Sequence, residues 1–162
     1  MFWEEVFDKG YTVHPTSIVD VWLSLDEVDA VVAAGHNVVI SYGLYLDQQT
    51  PAGPTHYFWA DTFMNFMDAG TTNPSPLILG ESLSQWGEQV DATNIQSRMW
   101  PRACGGAERM WGNYTGKNYT DGVLGRLERQ RCNMVQRGIG AGPLRQASMF
   151  VNCLLPDSSR FA

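Results

Sequence analysis

The sequence predicts an α/β domain with an open parallel sheet, of the kind that half of a barrel would provide. Short β-rich or apolar runs alternate with helical patterns along the chain, which implies parallel β/α units. Gly and Pro turn signals separate the runs. Four strands are too few to close a barrel, so the sheet keeps open edges. A chain of 162 residues can bury a real core, and 44% hydrophobic with 17% charged residues excludes a disordered tail.

The elements follow in order. Glu4 to Phe7 alternates between apolar and polar residues and is expected to be a short strand, closed by the turn residues Lys9-Gly10. Ser17 to Leu23 is β-rich and begins after the turn signal His14-Pro15. Leu25 to Ala34 carries Val28, Val31 and Val32 at helical spacing, and Gly35 is a suitable C-terminal stop. Asn37 to Leu46 is nearly continuous in apolar residues, as a strand buried on both faces would be. After a loop containing Pro51, Gly53 and Pro54, a short helix is expected around Asp61 to Met67 and a fourth strand at Leu77 to Gly80. A helix from about Asn94 to Trp111 is interrupted by Pro101 and by Gly105-Gly106, glycines that cost about 1 kcal/mol each relative to Ala. The last helix spans roughly Val123 to Arg137 and stops at Gly138. No internal repeat or low-complexity segment is present.

The net charge of -6 argues against nucleic acid or an anionic membrane as partner, since neither attracts an acidic surface. No run reaches the roughly 18–20 apolar residues needed to span a bilayer. Met1-Phe2-Trp3 leads directly into Glu4-Glu5, which is no signal peptide. Yet two N-glycosylation sequons, at Asn113 and Asn118, lie in a polar stretch that reads as an exposed loop. Of three cysteines, Cys132 and Cys153 bracket a Gly/Pro-containing segment and are read as a disulfide, worth about 3 kcal/mol by loop closure. Cys104 is expected to be a buried free thiol. Sequons without a targeting signal suggest a chain that begins mid-sequence.

Ligands of parallel β/α arrays meet the C-terminal ends of the strands. There the chain carries Trp3, then Trp22, then Tyr45 and Asp47, then Trp86 and Glu88. Indole faces can pack against the apolar side of a pyranose, and carboxylates accept hydrogen bonds from its hydroxyls. Each residue alone is as readily a core Trp or a solvated acid; recurrence at four successive strand ends singles out the group. His14, His36 and His56 are scattered beside turns, with no metal-ligand spacing, and are expected at the surface or as caps. Asp26-Glu27 sits at a helix start, where acids suit the helix dipole. Gly138-Ile139-Gly140-Ala141-Gly142 follows a helix, so it is a stop and not a phosphate cradle.

Several segments together resemble glycoside hydrolase family 20, the β-N-acetylhexosaminidases. They are Trp3-Glu4-Glu5-Val6-Phe7-Asp8, Val21-Trp22, Tyr45-Leu46-Asp47, Trp86-Gly87-Glu88-Gln89-Val90-Asp91, Trp100-Pro101-Arg102-Ala103 and Ala107-Glu108-Arg109-Met110-Trp111. They occur in the family's order and cover nearly the whole chain. The resemblance implies the C-terminal half, about strands five to eight, of a (β/α)8 TIM-type barrel plus a C-terminal helix, as one partial catalytic domain over residues 1–162. It implies hydrolysis of terminal, non-reducing β-linked N-acetylglucosamine or N-acetylgalactosamine by substrate assistance, without a cofactor, the acetamido oxygen attacking C1. Trp3, Trp22 and Trp86 would line the pocket, Tyr45 would orient the acetamido oxygen, and Asp47 and Glu88 would bind the outer hydroxyls. Asp47 followed by neutral Gln48 should disfavour a 6-sulfated substrate by like-charge repulsion. Glu108 and Arg109 are expected to form structural ion pairs.

The family's catalytic Asp-Glu pair, in a His-x-Gly-Gly-Asp-Glu stretch, has no counterpart here. Leu79-Gly80-Glu81-Ser82 also departs from the family pattern by one position, which on a regular strand reverses the side-chain face. The expected partners are therefore the terminal N-acetylhexosamine of a glycan, a missing N-terminal half of the barrel, and a second subunit in a homo- or heterodimer. The compartment would be lysosomal or extracellular. The isolated chain should be poorly stable, exposing two sheet edges. The alternative is a carbohydrate-binding remnant of the same fold that does not catalyse.

Overall fold

The computed structural model describes residues 1–47, 75–112, 121–144 and Cys153. The helix expected at Asp61 to Met67, as well as Gln48, His56, Asn113 and Asn118, lies outside the described residues. The described strands are β1 (Phe2–Trp3), β2 (Ile18–Val21), β3 (Asn37–Ile40) and β4 (Ile78–Glu81), all parallel and in the spatial order β1-β2-β3-β4. The helices are α1 (Glu5–Asp8), α2 (Leu25–Ala33), α3 (Ile95–Met99), α4 (Arg102–Trp111) and α5 (Asp121–Gln136).

One face of the sheet is packed by α2. Val19 and Val21 of β2, Val38 and Ile40 of β3 and Ile78 of β4 form a buried cluster with Val28 and Val31, and Phe2, Phe7, Leu25 and Val32 pack against it. The register pairs Val19 with Val38 and Val21 with Ile40, so alternate residues point to the helix layer. Ser24 caps α2 by accepting the Glu27 amide at 3.3 Å, and Gly35 ends it at φ 84°.

Three expected elements are corrected. The residues expected as a first strand, Glu4 to Phe7, begin a helical turn; the strand is Phe2–Trp3. A four-residue alternation fits one turn of helix as well as a strand, and here tertiary contacts decide. Glu4 is fully buried in the αR region, its carbonyl accepting the Asp8 amide at 2.9 Å. The apolar run from Asn37 is also not one strand. β3 ends at Ile40, and the chain turns through Gly43 at φ 75° with Leu44 N–H donating to the Ser41 carbonyl. Tyr45 then rejoins the sheet direction through an isolated parallel bridge to Ser84. The helix expected to be interrupted before Trp111 is broken at Trp100-Pro101 as expected, into α3 and α4, because proline cannot continue the ladder; the second expected interruption, at Gly105-Gly106, is absent, and α4 runs unbroken through both glycines.

β4 carries a bulge. Val38 pairs with Ile78 but Val39 with Gly80, so Leu79 is extra and stands 53% exposed. In a regular strand Ile78 and Glu81, three apart, would lie on opposite faces. The inserted residue instead sets Glu81 opposite buried Ile40, and both Glu81 carboxyl oxygens are inaccessible to solvent.

Gly106 of α4 sits in close packing. A Cβ at Gly106 would stand 2.7 Å from Cδ1 of Leu83, so a larger residue there would force the Leu83 side chain to move. Arg126 of α5 reaches Glu108 of α4 at 2.6 Å, an ion pair of the kind expected for Glu108. Cys132 and Cys153 are joined by a disulfide, and Cys104 is a free, half-buried thiol.

Candidate functional site

The parallel sheet delivers every strand's C-terminal end to one rim, and the predicted residues stand there. Trp3 is the last residue of β1, Trp22 follows β2, and Tyr45, Asp47 and Trp86 follow β3 and β4. β1 and β4 occupy opposite edges, about 14 Å apart by strand spacing alone. Nevertheless the rings of Trp3 and Trp86 lie 5.9 Å apart between centroids and tilted by 40°. The two indoles reach across the strand ends from opposite edges, and each stays more than two-fifths exposed. Apolar surface held open in this way suits a ring-shaped ligand.

Trp22 is held from three directions. Its backbone N–H donates to the Glu4 carboxylate at 2.7 Å, with Leu23 N–H on the other carboxyl oxygen at 3.0 Å. Its indole N–H donates to Glu5 at 3.0 Å. Its carbonyl accepts the Tyr45 hydroxyl at 2.6 Å. Burial pushes the Glu4 carboxyl above its ordinary range, opposed by the two amides it accepts. Burial, then the nearby Glu4 and Asp20 charges, raises the Tyr45 phenol, which therefore remains a proton donor at any physiological pH.

Asp47 accepts the Trp86 amide at 3.2 Å and so ties the β3 and β4 ends together. The segment from Leu44 to Leu46 is fixed on both sides. Leu46 N–H donates to Ser84, Ser84 N–H to Leu44, and the Arg102 guanidinium at the start of α4 donates to the carbonyls of Leu46 (2.5 Å) and Tyr45 (3.1 Å). Beneath the rim, Ser41 donates to buried Asp20 at 2.5 Å; burial raises that carboxyl and the Ser41 bond opposes the rise.

The structure thus links five of the six predicted rim residues into two contact groups, Trp3–Trp86–Asp47 and Trp22–Tyr45. Glu88 stands exposed two residues beyond Trp86, and no hydrogen bond among the described residues ties it to the others. Glu4, Glu5 and Arg102 were not singled out from the sequence. Two acids directly after an aromatic at a strand end were the available signal for the first two; nothing in the sequence reveals that Arg102 spans 56 positions to reach Leu46. His14 bonds Thr16 locally, as a turn cap does, and His36 packs edge-on against Phe7. Among the described residues no three His, Cys, Asp or Glu are placed to hold a metal ion, and no helix is long and apolar enough to cross a membrane. A groove of about 510 Å³ between α4 and α5, lined by Cys104, Glu108, Trp111, Arg126 and Leu127 among others, contains none of the rim residues.

The chain is similar to known proteins along most of its length. It is 35% identical over 146 residues to β-hexosaminidase subunit A1 of Dictyostelium discoideum, covering 88% of this chain and 27% of that protein. It is 37% identical over 145 residues to the human β-hexosaminidase subunit beta, covering 88% and 26%. The chain therefore spans little more than a quarter of these relatives. The fold matches the crystal structure of a β-N-acetylhexosaminidase from Bacteroides fragilis with a TM-score of 0.70 at 22% identity, over 93% of this chain and 33% of that one. Residues 1–114, including every rim residue, match the glycosyl hydrolase family 20 catalytic domain, and the chain belongs to that family.

Proposed function

We propose that this chain is the part of a β-N-acetylhexosaminidase, about strands five to eight of its (β/α)8 barrel, that forms one wall of the substrate pocket. The single observation that carries the proposal is the meeting of Trp3 and Trp86 over the strand ends, on the rim that also carries Trp22 and the Tyr45 hydroxyl. Family membership and the hexosaminidase relatives support it. The substrate is a glycan ending in β-linked N-acetylglucosamine or N-acetylgalactosamine, its ring and acetamido methyl packed among Trp3, Trp22 and Trp86.

In this mechanism the substrate supplies its own nucleophile. The acetamido oxygen attacks C1 as the bond to the leaving oxygen breaks, and water later opens the oxazolinium-like intermediate with retention. Tyr45 orients that oxygen by rotating its O–H from the Trp22 carbonyl to the substrate; exchanging one neutral hydrogen bond for another changes the energy little. Asp47 keeps lone pairs for an outer hydroxyl after accepting the Trp86 amide, and the exposed Glu88 takes the other. The carboxyl pair that positions the acetamido nitrogen and protonates the leaving oxygen comes from the rest of the barrel. The Cys132–Cys153 disulfide supports an oxidising compartment, lysosomal or extracellular, and the sequons at Asn113 and Asn118 are its proposed glycan sites. The relatives' designation as subunits supports a dimer.

The test is hydrolysis of a chromogenic β-N-acetylglucosaminide by the purified 162-residue chain, alone and mixed with the N-terminal half. Inactivity rescued by the missing half supports the proposal. Robust activity of this chain alone refutes the division of labour and makes Glu81 and Glu88 the first residues to mutate. In the full-length enzyme, equal turnover of 6-sulfated and neutral substrates would remove the repulsive role of Asp47.

A further inference from the structure

Trp3-Glu4-Glu5 is one tripeptide with two tasks at the rim. Trp3 contributes a ring to the aromatic wall, while the next two side chains cross to the end of the neighbouring strand. The fully buried Glu4 carboxylate accepts two consecutive amides, Trp22 and Leu23, and so fixes the backbone from which the Trp22 side chain rises. Glu5 accepts the indole N–H, which removes the remaining freedom of the ring about its own axis. The β1-to-α1 transition makes this possible: Glu4 adopts αR geometry immediately after the strand, so two successive side chains both reach the β2 end and do not point to opposite faces as they would on a strand.

We infer that Glu4 and Glu5 are positioning residues that hold the Trp22 indole in its sugar-facing orientation, Glu4 through the backbone and Glu5 through the ring nitrogen. Resting on the proposed hexosaminidase function, this makes them determinants of how tightly the N-acetylhexosamine ring is held. Neither touches the reacting atoms. Glu5 is the cleaner test, since Glu4 is buried and its removal leaves two amides without their acceptor.

The experiment uses the full-length protein labelled with 5-fluorotryptophan, the Trp22 ¹⁹F signal being assigned by its loss in Trp22→Phe. Glu5→Ala should shift and broaden that signal, whereas Glu5→Gln, whose carbonyl oxygen still accepts the indole N–H, should leave it near the parent position. For a chromogenic β-N-acetylglucosaminide, Glu5→Ala should raise KM about tenfold, the equivalent of one lost hydrogen bond, with a smaller change in kcat. Glu5→Gln should restore KM to within about twofold of the parent. An unmoved Trp22 signal in Glu5→Ala, or a Glu5→Gln variant as impaired as Glu5→Ala, overturns the inference. The fluorine signal reads the clamp independently of turnover. A parent protein that cleaves no β-N-acetylhexosaminide therefore refutes the proposed function alone, and an unmoved signal refutes the clamp alone.

Discussion

Replacing Arg102 by alanine should loosen the segment that carries Tyr45 and Asp47, and the structure sets the size of the effect. The guanidinium donates to two successive carbonyls, Leu46 at 2.5 Å and Tyr45 at 3.1 Å, from a half-buried position at the start of α4. A hydrogen bond to a charged group contributes about 1.5–3 kcal/mol net. Taking the shorter bond near the lower end of that range and the longer one as a fraction of it gives about 2 kcal/mol for the loss of both. The other attachments of this segment, the paired bonds between Leu44, Leu46 and Ser84, remain, so local opening rather than global unfolding should respond. Two kcal/mol corresponds to roughly thirtyfold in an opening equilibrium. Hydrogen exchange of the full-length protein, followed by mass spectrometry on peptides covering residues 44–47, should show the Leu46 amide exchanging about that much faster, with the α2 amides unchanged. Arg102→Lys should fall between parent and alanine, because an ammonium lacks the planar fork that spans two carbonyls. Unchanged exchange at Leu46 in Arg102→Ala would refute the reasoning.

Other outcomes follow from the same contacts. Gly106→Val should destabilise the protein by about 2 kcal/mol, because its Cβ would meet Leu83 at 2.7 Å, whereas Gly125→Ala in α5, with open space around it, should stabilise by about 0.5–1 kcal/mol; denaturant midpoints of the two variants against the parent check both signs. Glu27 is pushed up to about 7 from its ordinary 4.5, chiefly by burial and then by a hydrogen bond and charge from Asp8. Folding therefore favours its protonated form, so the stability associated with it is fully present below pH 4.5 and declines as the pH rises to about 7. Thermal midpoints measured across that window should fall toward neutrality, and Glu27→Gln should flatten the fall. The Cys104 thiol, raised by burial to about 11, should react with a thiol reagent at pH 8 far more slowly in the native protein than after unfolding; equal rates would contradict its placement.

The fold was legible where a local pattern and its tertiary setting agreed. The Val28, Val31 spacing with Ser24 before it and Gly35 after it specifies α2, and the structure places that helix from Leu25 to Ala33. β2 and the final helix were equally readable from β-branched content and from a glycine stop at Gly138. The first strand was misread because a four-residue alternation is shared by a helical turn, and the contact that chose the turn is the Glu4 carboxylate on Trp22, eighteen positions away. The apolar run from Asn37 to Leu46 was read as one strand because burial is common to strand and loop. Gly43 turns the chain there, and Leu44 and Leu46 are buried without being in the ladder.

Residue chemistry and order along the chain were sufficient to name the aromatic and acidic rim and the family, since both depend on which side chains follow which strands. The pairing of Trp3 with Trp86, the triple anchorage of Trp22 and the reach of Arg102 to Tyr45 and Leu46 depend on how the strands and helices pack, on one bulge at Leu79 and on contacts between residues 17 to 83 positions apart. Sequence periodicity reports only which face of its own element a side chain occupies. Distance between elements is set by how the elements pack, and it was decided only when the chain folded.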